Sequence, residues 1–275
     1  VFRLPVVAAL AVIMAITPAI AEKAPPDEPL PQISTDRPSV GAGPYVVPQN
    51  TFQLEIGFVG SHLDQPGPDQ DELAVLSVVG RLGILHEDLE LRYTWGGWGH
   101  VTTESATGDE TVTGTNDFAL GAKWRFHEAT GKGPTIALLG NLSIPSDHRE
   151  FSTRAFDPGV DLLFGHVLGR FYAQYNAGVG WETADSESGD QTTRSRFRYS
   201  LAGAYAVTGK VGVFLELFGD TALSSVERGP ATGADGGVVW VLRNNLQVDA
   251  RVGVTSLDET TTRFGEVGVS WRLPR

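Results

Sequence analysis

Phe118-Ala119-Leu120-Gly121-Ala122-Lys123-Trp124-Arg125-Phe126 is the stretch that decides the fold. Phe118, Leu120, Ala122, Trp124 and Phe126 take every second position, while Asp117, Ala119, Gly121, Lys123 and Arg125 take the others. Side chains of a β-strand point alternately to opposite faces, so one face of this strand meets an apolar medium and the other a polar one. Leu120 and Lys123 are thereby assigned to opposite sides, Leu120 to lipid and Lys123 to an interior.

The same alternation recurs in both directions from this stretch. Upstream, Leu89, Leu91, Tyr93 and Trp95 alternate with Glu90, Arg92 and Thr94, and Phe52, Leu54, Ile56 and Phe58 with Gln53, Glu55 and Gly57. A segment near Leu73 to Leu82 alternates poorly, and its facing stays open. Downstream, apolar positions recur in Ile136 to Ile144, Val160 to Phe164, Phe171 to Trp181, Phe197 to Val207, Val211 to Leu217, Val238 to Leu242, Leu246 to Val254 and Val267 to Leu273. That makes about twelve segments, an even number, as single-chain bacterial barrels require. The gaps alternate strictly. Those around Leu85, Gly131, Leu168, Gly209 and Asn244 are short; those around Gly67, Thr107, His148, Ser188, Ala231 and Glu259 are longer and rich in Asp, Glu, Ser, Thr and Gly. Thr208-Gly209 and Asn244-Asn245 fit tight hairpin turns with positive φ. The pattern predicts an all-β chain: a closed antiparallel up-and-down transmembrane β-barrel of about 12 strands over residues 51–275, in the outer membrane of a Gram-negative bacterium. Both barrel ends fall on the short-turn side, the periplasm.

Composition agrees. The chain has 275 residues, 41% hydrophobic content and a mean hydropathy of −0.08. A barrel hides its apolar residues at every second position, so its average stays bland. The chain has no cysteine, which excludes disulfides and thiolate chemistry. The 33 glycines suit a barrel interior and turns. Residues 1–21 read as a signal peptide: Arg3, an apolar run from Leu4 to Ile20, and Ala19-Ile20-Ala21 as the small-residue cleavage pattern before Glu22. Residues 22–50 carry Pro25, Pro26, Pro29, Pro31, Pro38, Pro44 and Pro48 and are expected to be extended, either as a periplasmic leader or as a plug in the barrel mouth.

Thr35-Asp36-Arg37-Pro38, followed by Val46-Val47-Pro48-Gln49-Asn50-Thr51-Phe52-Gln53-Leu54-Glu55, resembles the opening of the outer-membrane family labelled "putative MetA-pathway of phenol degradation". Asp117 to Trp124 is similar to its D-x-x-x-G-x-K-aromatic strand. Leu246-Gln247-Val248-Asp249, Gly253-Val254-Thr255 and Gly268-Val269-Ser270-Trp271-Arg272 resemble its closing strands. The chain departs from the pattern at Thr51 and in its Leu273-Pro274-Arg275 ending. The resemblance spans nearly the whole mature chain and implies an outer-membrane, transporter-like barrel with aromatic or hydrophobic cargo.

Strands about 4.8 Å apart and tilted by about 40° give twelve strands a backbone radius on the order of 12 Å, so side chains leave a narrow lumen or none. The charges placed inside, and expected to line the lumen, are Glu55, Glu90, Asp117, Asp161, Glu216, Asp249 and Glu266 against Arg92, Lys123, Arg125, Arg198, Arg251 and Arg272. Their signs nearly balance, which argues against strong ion selectivity. Phe214 and Phe218 also face inward. If residues 22–50 form a plug, Asp36 and Arg37 are expected to pair with interior charges such as Arg92 or Glu90.

The net charge of −12 sits mostly in the long gaps, which excludes nucleic acid as a partner. Outer-membrane lipid and lipopolysaccharide are the expected partners, with loop carboxylates either solvated or bridged to lipopolysaccharide phosphates by divalent cations. No catalytic, cofactor-binding or metal site is expected: the six histidines show no ligand spacing, and Ser146-Asp147-His148 is only a weak hydrolase arrangement. The functional expectation is a channel or transporter for small, hydrophobic or aromatic solutes, with a non-conducting structural or adhesive barrel as the alternative.

Overall fold

A computed structural model describes residues 31–104, 108–185, 191–223 and 229–273. The signal segment, residues 22–30, the centre of the Ser188 gap and the last two residues lie outside the described residues. The strands are β1 (Phe52–Asp64), β2 (Gln70–Gly83), β3 (Leu89–Trp95), β4 (Trp98–Thr103), β5 (Glu110–Thr115), β6 (Phe118–His127), β7 (Thr135–Ile144), β8 (Pro158–Leu168), β9 (Phe171–Asp185), β10 (Gln191–Ala206), β11 (Val211–Ala222), β12 (Ala231–Arg243), β13 (Leu246–Leu257) and β14 (Thr260–Arg272). Each pairs antiparallel with its neighbours, and β1 pairs with both β2 and β14, closing a ring of twelve.

β4 and β5 are the two strands beyond twelve, and they continue β3 and β6 upward. The chain kinks at Gly96-Gly97, where Gly97 has φ 85° and a Cβ would lie 2.4 Å from the Val75 carbonyl oxygen. Above the kink, β4 pairs with Gln70 to Val75 of β2; below it, β3 pairs with Val78 to Gly83. β2 serves both by a bulge at Leu76, held at φ 61°. One inserted residue flips every side chain beyond it to the other face, which is why this segment alternates so poorly in sequence.

The long gaps of the sequence are in large part strand. β1 runs on to Asp64, β12 begins at Ala231, and only Asp258 and Glu259 separate β13 from β14. Past the lipid both faces of a strand meet water, so the ladder continues while the apolar alternation stops. The turns also differ from expectation. Gly209, Asn244 and Asn245 keep negative φ; the left-handed residues stand instead at Leu85 (φ 52°), Gly131 (φ 79°) and Gly169 (φ 66°) in the short gaps and at Asp258 (φ 52°) in the Glu259 gap. At Thr208 the side-chain hydroxyl accepts the amides of Lys210 and Val211, which fixes the turn without a left-handed residue.

The barrel is inside out relative to a soluble protein. Leu120, Leu201, Leu215, Leu217, Val252 and Val267 all stand exposed on the outer face. Lys123, Glu55, Glu90 and Arg81 are fully buried within it. Trp124, Phe126, Phe171, Trp240 and Trp271 lie exposed toward the short-turn end, as an interfacial girdle does. Trp95, an apolar-face residue of the alternation, is covered instead: its ring meets Trp98 and Phe118, and its Nε1 donates to Thr115 Oγ1.

Candidate functional site

Residues 31–50 lie inside the bore, across its short-turn half. Pro31, Pro38, Pro44 and Pro48 keep them out of regular structure, so their backbone groups need partners from elsewhere. The wall supplies them. Ile33 donates its amide to Asn244 O at the short-turn rim. The Glu216 carboxylate of β11 accepts the amides of Val40 (2.7 Å) and Gly41 (2.9 Å) and the Ser39 hydroxyl. Asn176 of β9 donates to Ala42 O, Lys123 of β6 to Gly43 O, and Arg81 of β2 to Tyr45 O. Glu90 of β3 accepts the Val47 amide at 2.9 Å. Gln49 then bridges to Gly83, and the chain enters β1. The segment thus circles the bore, held by strands on every side.

Asp36 and Arg37 sit between two wall clusters of opposite charge. On one side Arg81, Arg92 and Lys123 outnumber Glu55 and Glu90 by one charge. Asp36 balances them: Lys123 Nζ lies 3.0 Å from Oδ2, Arg92 pairs with the same oxygen, and Arg81 approaches to 3.9 Å. Burial alone would raise the Asp36 carboxyl; Arg81, Lys123 and Arg92 outweigh it and hold it well below the usual carboxylate range. Glu55 accepts the amides of both Asp36 and Arg37. On the other side Asp235, Asp249 and Glu266 face the lone cation Arg251, which pairs with Asp235 at 2.8 Å and Glu266 at 2.6 Å. Arg37 joins this cluster through Glu266 and, at 3.1 Å, Asp249. Its guanidinium lies flat on Gly57 of β1 and Gly268 of β14, which face each other in register. A Cβ on either glycine would come within 2.2 Å of a guanidinium nitrogen.

The residues singled out in the sequence therefore fall into several groups. Glu55, Glu90, Arg92 and Lys123 meet at Asp36; Asp249, Arg251 and Glu266 meet at Arg37. Of the two partners named for the leader, Arg92 does reach Asp36. Glu90 does not reach Arg37, because its oxygens are taken by Arg81, Arg92 and the Val47 amide. Glu216 holds the leader backbone. Arg272 donates to Pro31 O and Asn244 O at the short-turn rim. Arg125 also sits at that rim, pairing with Asp88 and Glu128. Asp117 stands at the opposite rim, where it accepts the amides of Ser146 (2.8 Å) and Thr153 (3.1 Å) and so anchors the β7–β8 loop. Arg198 and Asp161 pair at 2.9 Å on the wall above the leader.

Arg81 was not legible, although it lies at the centre of the cation cluster; the Leu76 bulge hid its facing. Asp235 looked like loop because Gly233, Gly236 and Gly237 surround it. Arg196, paired with Asp220, faces inward two residues before Arg198, and strict alternation from Arg198 was the available signal.

Above the leader the bore opens into a cavity of about 800 Å³. Val40, Gly41 and Ala42 form its floor; Leu63, Leu139 and Phe218 supply apolar wall, and Arg198, Asp161 and Asn141 polar wall. This volume is in the range of small-molecule sites. Phe214, the other inward-facing phenylalanine, is buried. Among the described residues no three His, Asp or Glu side chains are placed to hold a metal ion. Ser146 donates its hydroxyl to Thr115 O.

Comparison with known proteins follows the architecture. The family model described as "Putative MetA-pathway of phenol degradation" matches residues 35–273. Among solved structures, an outer membrane channel from Pseudomonas putida F1 superposes with a TM-score of 0.63 at 14% identity, covering 85% of this chain and 99% of that one. The translocator domain of the autotransporter NalP from Neisseria meningitidis gives 0.54 at 14% identity over 80% and 88%. The NanC porin gives 0.53 at 10% identity over 79% and 100%. At these identities the likeness is one of fold, the outer-membrane barrel. Comparison with curated protein sequences finds no match. With its opening Thr35-Asp36-Arg37-Pro38 motif folded into the bore and the family match running from Thr35 to the end of the last strand, the chain belongs to the family "Putative MetA-pathway of phenol degradation".

Proposed function

We propose that the protein is an outer-membrane channel for small hydrophobic or aromatic solutes, with residues 31–50 as its plug. The observation that carries this reading is the cavity of about 800 Å³ whose floor is the leader itself. A solute entering from the long-gap end meets Val40 to Ala42, and passage requires the leader to shift. The lock is mostly ionic and polar, with only a few apolar side chains such as Ile33 and Val47 buried by docking, so it can reopen with little apolar surface exposed to water. The family description, with its reference to phenol degradation, and the names of the matched channel and porin agree with this reading. In this proposal the short turns and both barrel ends face the periplasm, the acidic loops meet lipopolysaccharide, and the protein carries out no reaction.

The test is single-channel recording in planar bilayers, comparing the mature protein with a form lacking residues 22–45. The deletion is expected to stay folded, with heat-modifiable gel migration, and to conduct more. Equal conductance would make the leader only a tether. If neither form conducts, the non-conducting structural or adhesive barrel replaces the channel.

A further inference from the structure

We infer that the cavity is a binding site for a small apolar carboxylate, with Arg198 receiving the carboxylate. This rests on the channel reading above and names the solute class. Arg198 leaves its pair with Asp161 incomplete: Nη2 alone contacts both carboxylate oxygens, at 2.9 and 3.0 Å. Nε and Nη1 have no protein partner among the described residues. The Arg198 side chain is 41% exposed, against 9% for Arg92 and 6% for Arg196. It is therefore the cavity cation with donors to spare.

Its posture is built into the wall. The guanidinium lies over Gly159 and Gly180, where a Cβ would come within 2.8 and 2.7 Å of its nitrogens. The Asp161 carboxylate lies over Gly178, where a Cβ would come within 2.0 Å. Three glycines on β8 and β9 thus let the pair lie flat, so that it lines the bore without blocking it. Asn141 meets Arg198 over the same Gly159, and its amide makes no hydrogen bond among the described residues. The atom it sets beside the cation is its neutral side-chain oxygen, which adds no second anion to compete for Arg198. Leu63, Leu139, Phe218 and the Val40–Ala42 floor then leave apolar surface for the rest of the ligand. A planar, forked donor matches a carboxylate in two directions at once, while a neutral solute of the same shape would use only the apolar walls.

The probes are benzoate and benzamide, equal in size and different in charge, titrated calorimetrically into the detergent-solubilised full mature protein. Wild type should bind benzoate roughly tenfold more tightly than benzamide, the contribution of one charge-assisted hydrogen bond. Arg198→Gln should abolish the preference without changing benzamide affinity, and Arg198→Lys should keep part of it. Asp161→Asn removes the competing anion and should tighten benzoate. Opposite changes from Arg198→Gln and Asp161→Asn cannot come from misfolding, since both variants break the same pair. Equal binding of the two probes by wild type, no binding of either, or a preference that survives Arg198→Gln overturns the inference. The conductance comparison decides the channel reading separately, because it uses salt as the permeant and does not involve Arg198.

Discussion

Replacing Asp36 with Asn tests whether the leader is held by charge. In the native bore Arg81, Arg92 and Lys123 face Asp36, Glu55 and Glu90, three against three. Asp36→Asn keeps the shape of the side chain and leaves one uncompensated positive charge. Removing one partner of a buried ion pair costs about 3–5 kcal/mol. The Asp36 side chain is only 10% exposed, so little is lost to screening, but the cavity above brings water near. The lower end, about 3 kcal/mol, is the appropriate figure, and it corresponds to roughly a hundredfold rise in the undocked fraction. The chain has no cysteine, so a single Val47→Cys reports cleanly on docking. Val47 is 2% exposed when the leader is in place. Its reaction rate with a membrane-impermeant maleimide should rise roughly a hundredfold in the Asp36→Asn background while the barrel remains heat-modifiable. Ser39→Ala, which loses one 2.8 Å hydrogen bond to the Glu216 carboxylate, should raise the rate only about tenfold, as roughly 1.5 kcal/mol implies. If Asp36→Asn labels no faster than Ser39→Ala, the electrostatic account of the lock is wrong.

Three further outcomes follow from the same geometry. Leu120→Arg on the lipid face should destabilise the barrel by about 2–4 kcal/mol if it sits at mid-depth, measured by urea unfolding in lipid vesicles, whereas Lys123→Gln should leave the barrel folded and loosen only the leader; the reverse ranking would invert the assigned faces. The Asp36 carboxyl is held below its ordinary value of 3.8 in the docked state, so its stabilisation is fully present above that value and is lost progressively as pH falls from there through the lower, docked value. The difference in leader-amide protection from hydrogen exchange between wild type and Asp36→Asn, which isolates this group from the other carboxylates of the bore, should therefore be the same at about pH 5 as at about pH 6, and a difference that has vanished by about pH 5 would contradict it. Cell fractionation should place the mature protein with outer membranes; recovery as a soluble, helix-rich periplasmic protein would end the barrel assignment.

What the sequence reveals follows from how many media a strand touches. Between Phe118 and Phe126, or Leu246 and Val254, lipid lies on one side and a polar bore on the other, and the alternation states both. Near Asp64 on β1 or near Gln191 on β10 both sides are wet, so the end of a long ladder reads as loop. Arg81 is lost for a different reason: one extra residue at Leu76 reverses the parity that placed every other inward charge. The leader's prolines and its Thr35-Asp36-Arg37-Pro38 motif mark it as a unit, yet the partners of Arg37 stand 212 and 229 residues away in the chain. No local pattern encodes a contact that exists only once the ring has closed.

That last contact gives the seam between the first and last strands an unusual property. Gly57 and Gly268 sit opposite each other only in the native alignment of β1 with β14. A slip of two residues would set Gly57 against Glu266 or Ser270, and Arg37 would meet a side chain where it now meets bare backbone. Docking of the leader is then a gauge of correct closure: a misaligned cylinder cannot seat Arg37, and its Asp249 and Glu266 carboxylates stay uncompensated. The dipeptide seated in the bore thus fits only the native alignment of the two strands that close the ring.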